Sequence, residues 1–458
     1  MNLKNIKIQG LFDLFNYTIE LNQENNLTII TGFNGYGKTT VLNIIYNLFS
    51  LRFFYFQKLV FSEITVNFEN GYRLDIKKSI DSNNKSEAPK IIQYIDKVFI
   101  EEQSLNFKIS FFLYDNENTN IGTYEYTGAK GEGIGNQIQR HVPFLSKISP
   151  ELWIDDRSGR ILGLDDLLNE FSTRIPSDLL NNLKNHGLNN EKLLKVFDSF
   201  NVYLIKEQRL IRQSTNPKRV NERELSYVNT IQEFAKELSE LIKNKQVESL
   251  RITQELDSSF LKRVLGYPKT SLMEDEFTEK ANLLKNKYEK LKKFSLAATS
   301  LDLPSYKSNE DSRMLAVYLN DSEEKTSIFD DLLNRIELFT DILNQKRFAF
   351  KSIQIDNNNG FAFKTNQNKT LSLTELSSGE QHEVVLLYEL LFKVQPNTLV
   401  LIDEPEISLH VSWQQEFIDD LIKIAKMQKI RFIIATHSPT IINNRFDLTV
   451  DLFELSKN

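Results

Sequence analysis

Alternating apolar and polar residues in "LKNIKIQG" and "FNYTIEL" predict two short strands around a turn over residues 3–20. "NLTIITG" (26–32) reads as a strand that ends at a glycine-rich loop, and "TTVLNIIYNLFSLRFFYF" as a helix. "EITVNFENGYRLDIK", with its Asn70-Gly71 turn, and "FKISFFLYDNENTNIGTYEYTG" each predict a β-hairpin. Residues 145–200 read as mainly helical, closed by the strand-like run "NVYLIKEQRL" (201–210). The period then becomes helical: Val228, Ile231, Phe234, Ala235, Leu238, Leu241 and Ile242 share one face, and Phe277, Ala281, Leu284, Tyr288 and Leu291 another. With "GYPKT" as the turn between them, these predict a helical hairpin with short arms, on which the charge run "KNKYEKLKK" is a solvated face. A helix over 330–346 and a hairpin over 351–365 ("KSIQIDNNNGFAFKT") follow. "LSSGEQHEVVLLYELLF", with an apolar helix behind a small polar turn, comes next, then the strand "NTLVLIDEPE", the helix "SWQQEFIDDLIKIAKMQ" and the strand "RFIIATHSP".

The elements imply an α/β protein: a P-loop core sheet plus an antiparallel β subdomain, with an inserted short helical hairpin. The expected divisions are 1–210 for the N-terminal lobe, 211–346 for the helical insertion and 347–458 for the C-terminal lobe. Composition narrows the classes. A net charge of −6 gives no bulk attraction to DNA or acidic membranes, and the absence of cysteine excludes disulfides and thiol catalysis. The N-terminus "MNLKNIKIQG" lacks the apolar core of a signal peptide, and the most apolar stretch is broken by Asn43, Asn47, Arg52 and Lys58. A cytoplasmic protein with no membrane partner is the expectation. The glycine-rich loop "GAKGEGIGNQ" has neither a strand leading into it nor a Lys-Ser/Thr after it, and reads as a flexible connection.

Three motifs carry chemistry. "GFNGYGKT" (Gly32 to Thr39) fits G-x-x-x-x-G-K-[ST] between a predicted strand and helix. Gly32, Asn34, Gly35 and Gly37 would turn backbone N–H groups onto phosphates, with Thr40 opening the helix behind them. Lys38 would contact the terminal phosphates of ATP and the Thr39 hydroxyl would ligate Mg²⁺. "LVLIDEPE" buries four apolar residues and releases Asp403, a second Mg²⁺ ligand, and Glu404, placed to orient or deprotonate the attacking water. His437 in "ATHSP" comes about 33 residues after Glu404, one helix and one strand later, so a right-handed crossover would bring it to the same sheet edge, facing the γ-phosphate. "LSSGEQ" is more open. Ser377, Ser378 and Gly379 begin a helix and Glu380 lies in its first turn, which taken alone is a plain N-cap.

The set of P-loop, "LSSGEQ", "LIDEPE" and "ATHSP", in that order, resembles the ATP-binding-cassette superfamily. That resemblance implies that Leu376, Ser377, Ser378, Gly379 and Glu380 are a signature turn that meets the γ-phosphate held by a second subunit. Ser408, Leu409 and His410 match the D-loop crossing the same interface, and Gln208, beside Arg209, is the candidate Q-loop glutamine. About 340 residues separate P-loop and signature, which resembles the SMC-like branch rather than transporter cassettes. The insertion is too short for an SMC arm, and the roughly 20 residues after "ATHSP" are expected to hold no nuclease domain. Over nearly the whole chain the sequence is similar to the stand-alone ATPases of bacterial anti-phage systems, the AriA type of PARIS and the PtuA type of Septu and retrons, with the AriA type favoured. The resemblance implies a head-to-tail homo-oligomer, a separately encoded nuclease effector (Toprim-type ahead of HNH), and a phage-encoded trigger or DNA as the signal. The alternative is a RecF-like repair ATPase that binds DNA directly, through local basic patches such as "NPKRVNERE".

Overall fold

Leu27, Ile29 and Ile30, and Thr28 among them, are all fully or almost fully removed from water, as in a strand covered on both faces. In the computed structural model this strand sits inside a parallel sheet. The structure describes residues 1–80, 107–126, 141–149, 152–156, 190–205, 227–268, 273–297, 312–345 and 350–457, with shorter pieces between them. Contacts divide the chain into two compact units. One is built from Met1–Ile205, Pro396–Glu404 and Ala425–Asn458, the other from Lys206–Gln395 and Pro405–Ile424.

The two largest sheets lie in the first unit. Strands β1 (Leu3–Leu11), β2 (Phe15–Glu20), β4 (Glu63–Phe68), β5 (Arg73–Ile80), β6 (Phe107–Tyr114) and β7 (Asn120–Tyr126) form an antiparallel sheet in the order β2-β1-β4-β5-β6-β7. Its inward residues alternate with wet ones, as in β4, where Ile64, Val66 and Phe68 are buried. The second sheet is parallel, in the order β11 (Asn201–Ile205), β14 (Thr398–Asp403), β15 (Arg431–Ala435), β3 (Leu27–Thr31), β16 (Thr449–Asp451). Helix α1 (Lys38–Phe49) packs on β11, β14 and β15. Behind it Phe49 stacks on Phe200 with ring centroids 3.9 Å apart, and Phe53 lies 4.4 Å from Phe111.

Within residues 145–200 the described part is not mainly helical. Strands β8 (Leu145–Ser149), β9 (Leu152–Asp155) and β10 (Ile161–Gly163) make an antiparallel meander, and the helix Glu191–Asp198 follows, most of residues 157–189 lying outside the described residues. Buried Trp153 and Leu162 lie in adjacent strands, paired across β9 and β10, an apolar spacing that a helical reading misses. "GAKGEGIGNQ" lies outside the described residues.

In the second unit, helix α2 (Thr230–Gly266) runs for 37 residues, roughly 55 Å, so the expected short arm is long. Helix α3 (Glu274–Lys293) and α2 do not simply pair as a hairpin: both pack on α4 (Ser312–Ser327), to which Arg263 of α2 is tied by a forked ion pair with buried Asp321. Helix α5 (Asp330–Asn344) rests on β12 (Lys351–Asp356), which pairs with β13 (Gly360–Thr365). The N-terminal half of α2 lies against β13 so closely that a Cβ on Gly360, which holds φ at 73°, would be driven into the Ala235 carbonyl. Gly360→Ala is therefore expected to cost about 3 kcal/mol of folding stability, read as a lower urea midpoint at unchanged slope. Among the described residues no helix is long and apolar enough to cross a membrane.

Candidate nucleotide-binding site

Parallel pairing decides what meets at the C-terminal sheet edge. Asp403 lies opposite Ala435, and Ala435 opposite Ile30, so the ends of β14, β15 and β3 are level. The loop after β3 turns through Gly35 and Gly37, with φ of 90° and 83° that side chains resist. Nothing stands within 4 Å of where a Gly35 Cβ would be, whereas one on Gly37 would crowd Leu11 at 3.2 Å and Phe12 at 3.3 Å. Gly37 caps α1, whose first turn points its free N–H groups into the loop. Lys38 is only 5% exposed. Its Nζ folds back and donates to the carbonyl oxygens of Gly32 at 2.9 Å and Phe33 at 3.4 Å, so the charge spans the concavity of the loop.

The Thr39 hydroxyl donates to Asp403 Oδ1 at 3.2 Å. Adjacent oxygen ligands in a Mg²⁺ octahedron stand about 3 Å apart, since each lies about 2.1 Å from the metal. The two groups thus fit a Mg²⁺ ion that takes its remaining ligands from phosphate and water. Among the described residues no cluster of three or more His, Cys, Asp or Glu side chains forms an all-protein metal cage, and Mg²⁺ shared with phosphates needs none.

Glu404 follows with φ at 41°, a left-handed backbone that a glutamate rarely adopts. Its N–H donates to the Ala435 carbonyl at 2.9 Å, which holds the turn shut. Its carboxylate Oε1 comes within 3.6 Å of His437 Nδ1, side by side but beyond hydrogen-bond length. His437 is held between buried Thr436, whose N–H donates to Ile30, and Ser438, which caps the short helix Pro439–Ile442. Asp403, Glu404 and His437 are therefore brought to the P-loop by the first unit alone.

The sequence reading missed an aromatic group on the same loop. Phe33, with 65% of its surface exposed, meets Phe453 edge-on at 5.4 Å, and Tyr36 packs on Phe15 at 5.3 Å and Phe453 at 5.8 Å. The signal was there: Phe33 and Tyr36 occupy variable positions of a glycine loop where small polar residues would serve.

The turn Leu376–Glu380 belongs to the second unit. It opens helix α6 (Ser378–Tyr388), which runs into a single π-helical turn over Glu389–Lys393. Ser377 caps the helix: its Oγ accepts the Glu380 N–H at 3.3 Å while Glu380 Oε2 accepts the Ser377 N–H at 2.8 Å. Behind the turn, Val384 to Tyr388 are buried, and Tyr388 stacks between Phe234 at 4.5 Å and Phe392 at 4.7 Å. Lys351 Nζ donates to both Glu380 oxygens at 2.8 Å. Burial alone would raise the Glu380 carboxyl, but the Lys351 bond and the Ser377 N–H outweigh it and hold it below the usual carboxylate range. Leu409 is buried, the His410 carbonyl accepts the Trp413 N–H at 2.9 Å, and the Ser408 side chain lies outside the described residues. Gln208 also lies outside them.

A glycine loop at the end of a parallel strand, a buried lysine and an acid pair two strands over define a P-loop nucleotide-binding protein. The chain belongs to the AAA ATPase domain family, whose model matches residues 1–442. It is 39% identical over 85 residues to the Retron Ec83 probable ATPase of Escherichia coli, a stretch that is 16% of this chain and 15% of that one. Solved structures with loose likeness include a Pyrococcus furiosus Smc head domain with an extended coiled coil, bound to the C-terminal domain of ScpA (15% identity, 97% of this chain and 91% of that one, TM-score 0.33). Another is the SMC head domain from Thermotoga maritima (12% identity, 96% and 91%, TM-score 0.30).

Proposed function

We propose that the protein binds ATP with Mg²⁺ and hydrolyses it in composite sites between two of its own copies, and that this cycle governs a separately encoded nuclease of an anti-phage system. The observation that carries the catalytic reading is the Thr39–Asp403 pair at the mouth of the glycine loop, with Glu404 next in sequence. Lys38 and the loop N–H groups bind and orient the phosphates. The Thr39 hydroxyl and Asp403 carboxylate would hold Mg²⁺, which when bound neutralises charge on the β- and γ-phosphates. Glu404 orients a water and takes its proton, and His437, at its side, senses whether the γ-phosphate is present. The exposed ring of Phe33 offers the base an apolar face.

The turn Ser377–Glu380 supplies the other half of the site in trans. What supports this is a rigidly capped helix start on a deeply buried helix, together with the resemblance of "LSSGEQ" to the cassette signature. The defence setting is supported by the overall sequence resemblance and by the 85-residue likeness to the retron ATPase. Ser377→Arg fills the turn without touching the P-loop. It is expected to keep ATP affinity within about threefold and to lower turnover at least ~100-fold, with ATP-driven dimers lost in light scattering. Normal turnover in this variant would remove the trans role. Co-purification with a nuclease encoded beside this gene tests the effector, Toprim-type ahead of HNH.

A further inference from the structure

Glu380 raises a chemical contradiction. It is a carboxylate in the first turn of α6, the turn that the trans reading aims at a phosphate, and like charges a few ångströms apart repel strongly in a partly desolvated site. We propose that Lys351 resolves it: Lys351 is a positioning residue that cancels the charge of Glu380 and pins its carboxylate over the helix start, so that the turn can accept an anion. This rests on the trans reading of Ser377–Glu380 given above.

The geometry supports a dedicated pair rather than a passing surface contact. Lys351 Nζ stands 2.8 Å from each Glu380 oxygen, and the two side chains are only 24% and 18% exposed. Lys351 is the first residue of β12, paired with Thr365 of β13, and its own N–H donates to the Phe348 carbonyl before the strand, so its backbone is held from both sides. Both carboxylate oxygens are engaged. Oε1 takes the lysine, and Oε2 takes both the lysine and the Ser377 N–H. Drawn back in this way, Glu380 leaves the N–H groups of Ser378 and Gly379, which have no acceptor within the helix, as the groups facing outward. Nothing lies within 4 Å of where a Gly379 Cβ would stand, so the approach is open. An ion pair that served folding alone would be a weak device, since partly exposed pairs contribute little to stability.

The test compares wild type, Lys351→Met and Lys351→Met/Glu380→Gln for ATP affinity and steady-state turnover. Lys351→Met is expected to leave ATP affinity within about twofold and to lower turnover ~10- to 100-fold, the scale of one unbalanced charge near the phosphate in a partly desolvated site. Adding Glu380→Gln removes that charge and is expected to raise turnover at least ~tenfold over Lys351→Met, a rescue that a purely structural strut would not produce. If Lys351→Met does not fold, Lys351→Gln replaces it in the same comparison. Turnover of the lysine variant within twofold of wild type, or a double variant no faster than the single one, overturns the proposal. Ser377→Arg run alongside separates the two readings. If it is inactive while Lys351→Met is normal, only the lysine's role falls; if it turns over normally, the trans reading itself is wrong.

Discussion

Glu404→Gln is expected to bind ATP as tightly as wild type and to hydrolyse it ~100- to 1000-fold more slowly, the range lost when a positioned general base is removed. Glutamine keeps the size of the side chain and its place beside His437, at 3.6 Å in the wild-type protein, but cannot take a proton from water. The backbone cost of the left-handed turn, with φ at 41°, is the same for both residues, so folding is little disturbed. The measurements are single-turnover phosphate release and equilibrium ATP binding. ATP should also hold the variant in its closed assembly, visible as a persistent dimer in light scattering. A hydrolysis rate within twofold of wild type would show that another group activates the water.

Lys38→Ala carries the second large effect, at the binding step. Lys38 is buried, and in the resting loop its ammonium group bonds the carbonyls of Gly32 and Phe33. Charge-assisted hydrogen bonds to phosphate are among the strong ones, and losing two is expected to weaken ATP binding ~30- to 100-fold. Two carbonyls then lose their donor, so the loop's resting shape loosens as well. Thermal shift gives a clean check. Wild type should gain melting temperature in proportion to ln(1 + [ATP]/Kd), and at the same ATP concentration the variant should gain almost nothing. An undiminished ATP-induced shift in Lys38→Ala would remove the lysine from the binding site.

What could be read in the sequence was what is local or fixed by sheet geometry. The P-loop needs only eight adjacent residues, and the approach of Glu404 and His437 follows from parallel strands ending level. The pairing of Lys351 with Glu380 is a different kind of fact. They lie 29 residues apart, on a strand and a helix joined by a hairpin, and no periodicity links them. Residues 145–163 misled because short strands of three to five residues carry too few alternations to outvote helical propensity. Helix α2 exceeded its expected length because its second half is wet and polar, with Leu261 and Leu265 70% and 72% exposed, so its apolar face fades before the helix ends. The short strand β16 gives almost no signal in three residues, although it borders the P-loop strand.

That border has a consequence in time. Strand β3 is made about 400 residues ahead of its two neighbours in the sheet, β15 and β16. At ribosomal rates of 5–20 residues per second the strand that leads into the P-loop waits roughly 20–80 s for partners. For that interval a mostly apolar strand, Leu27 to Thr31, keeps both edges unpaired and open to aggregation. The sheet edge that presents the glycine loop is complete only once β15 has been made, so a polypeptide lacking β15 is expected to show no ATP-induced gain in melting temperature.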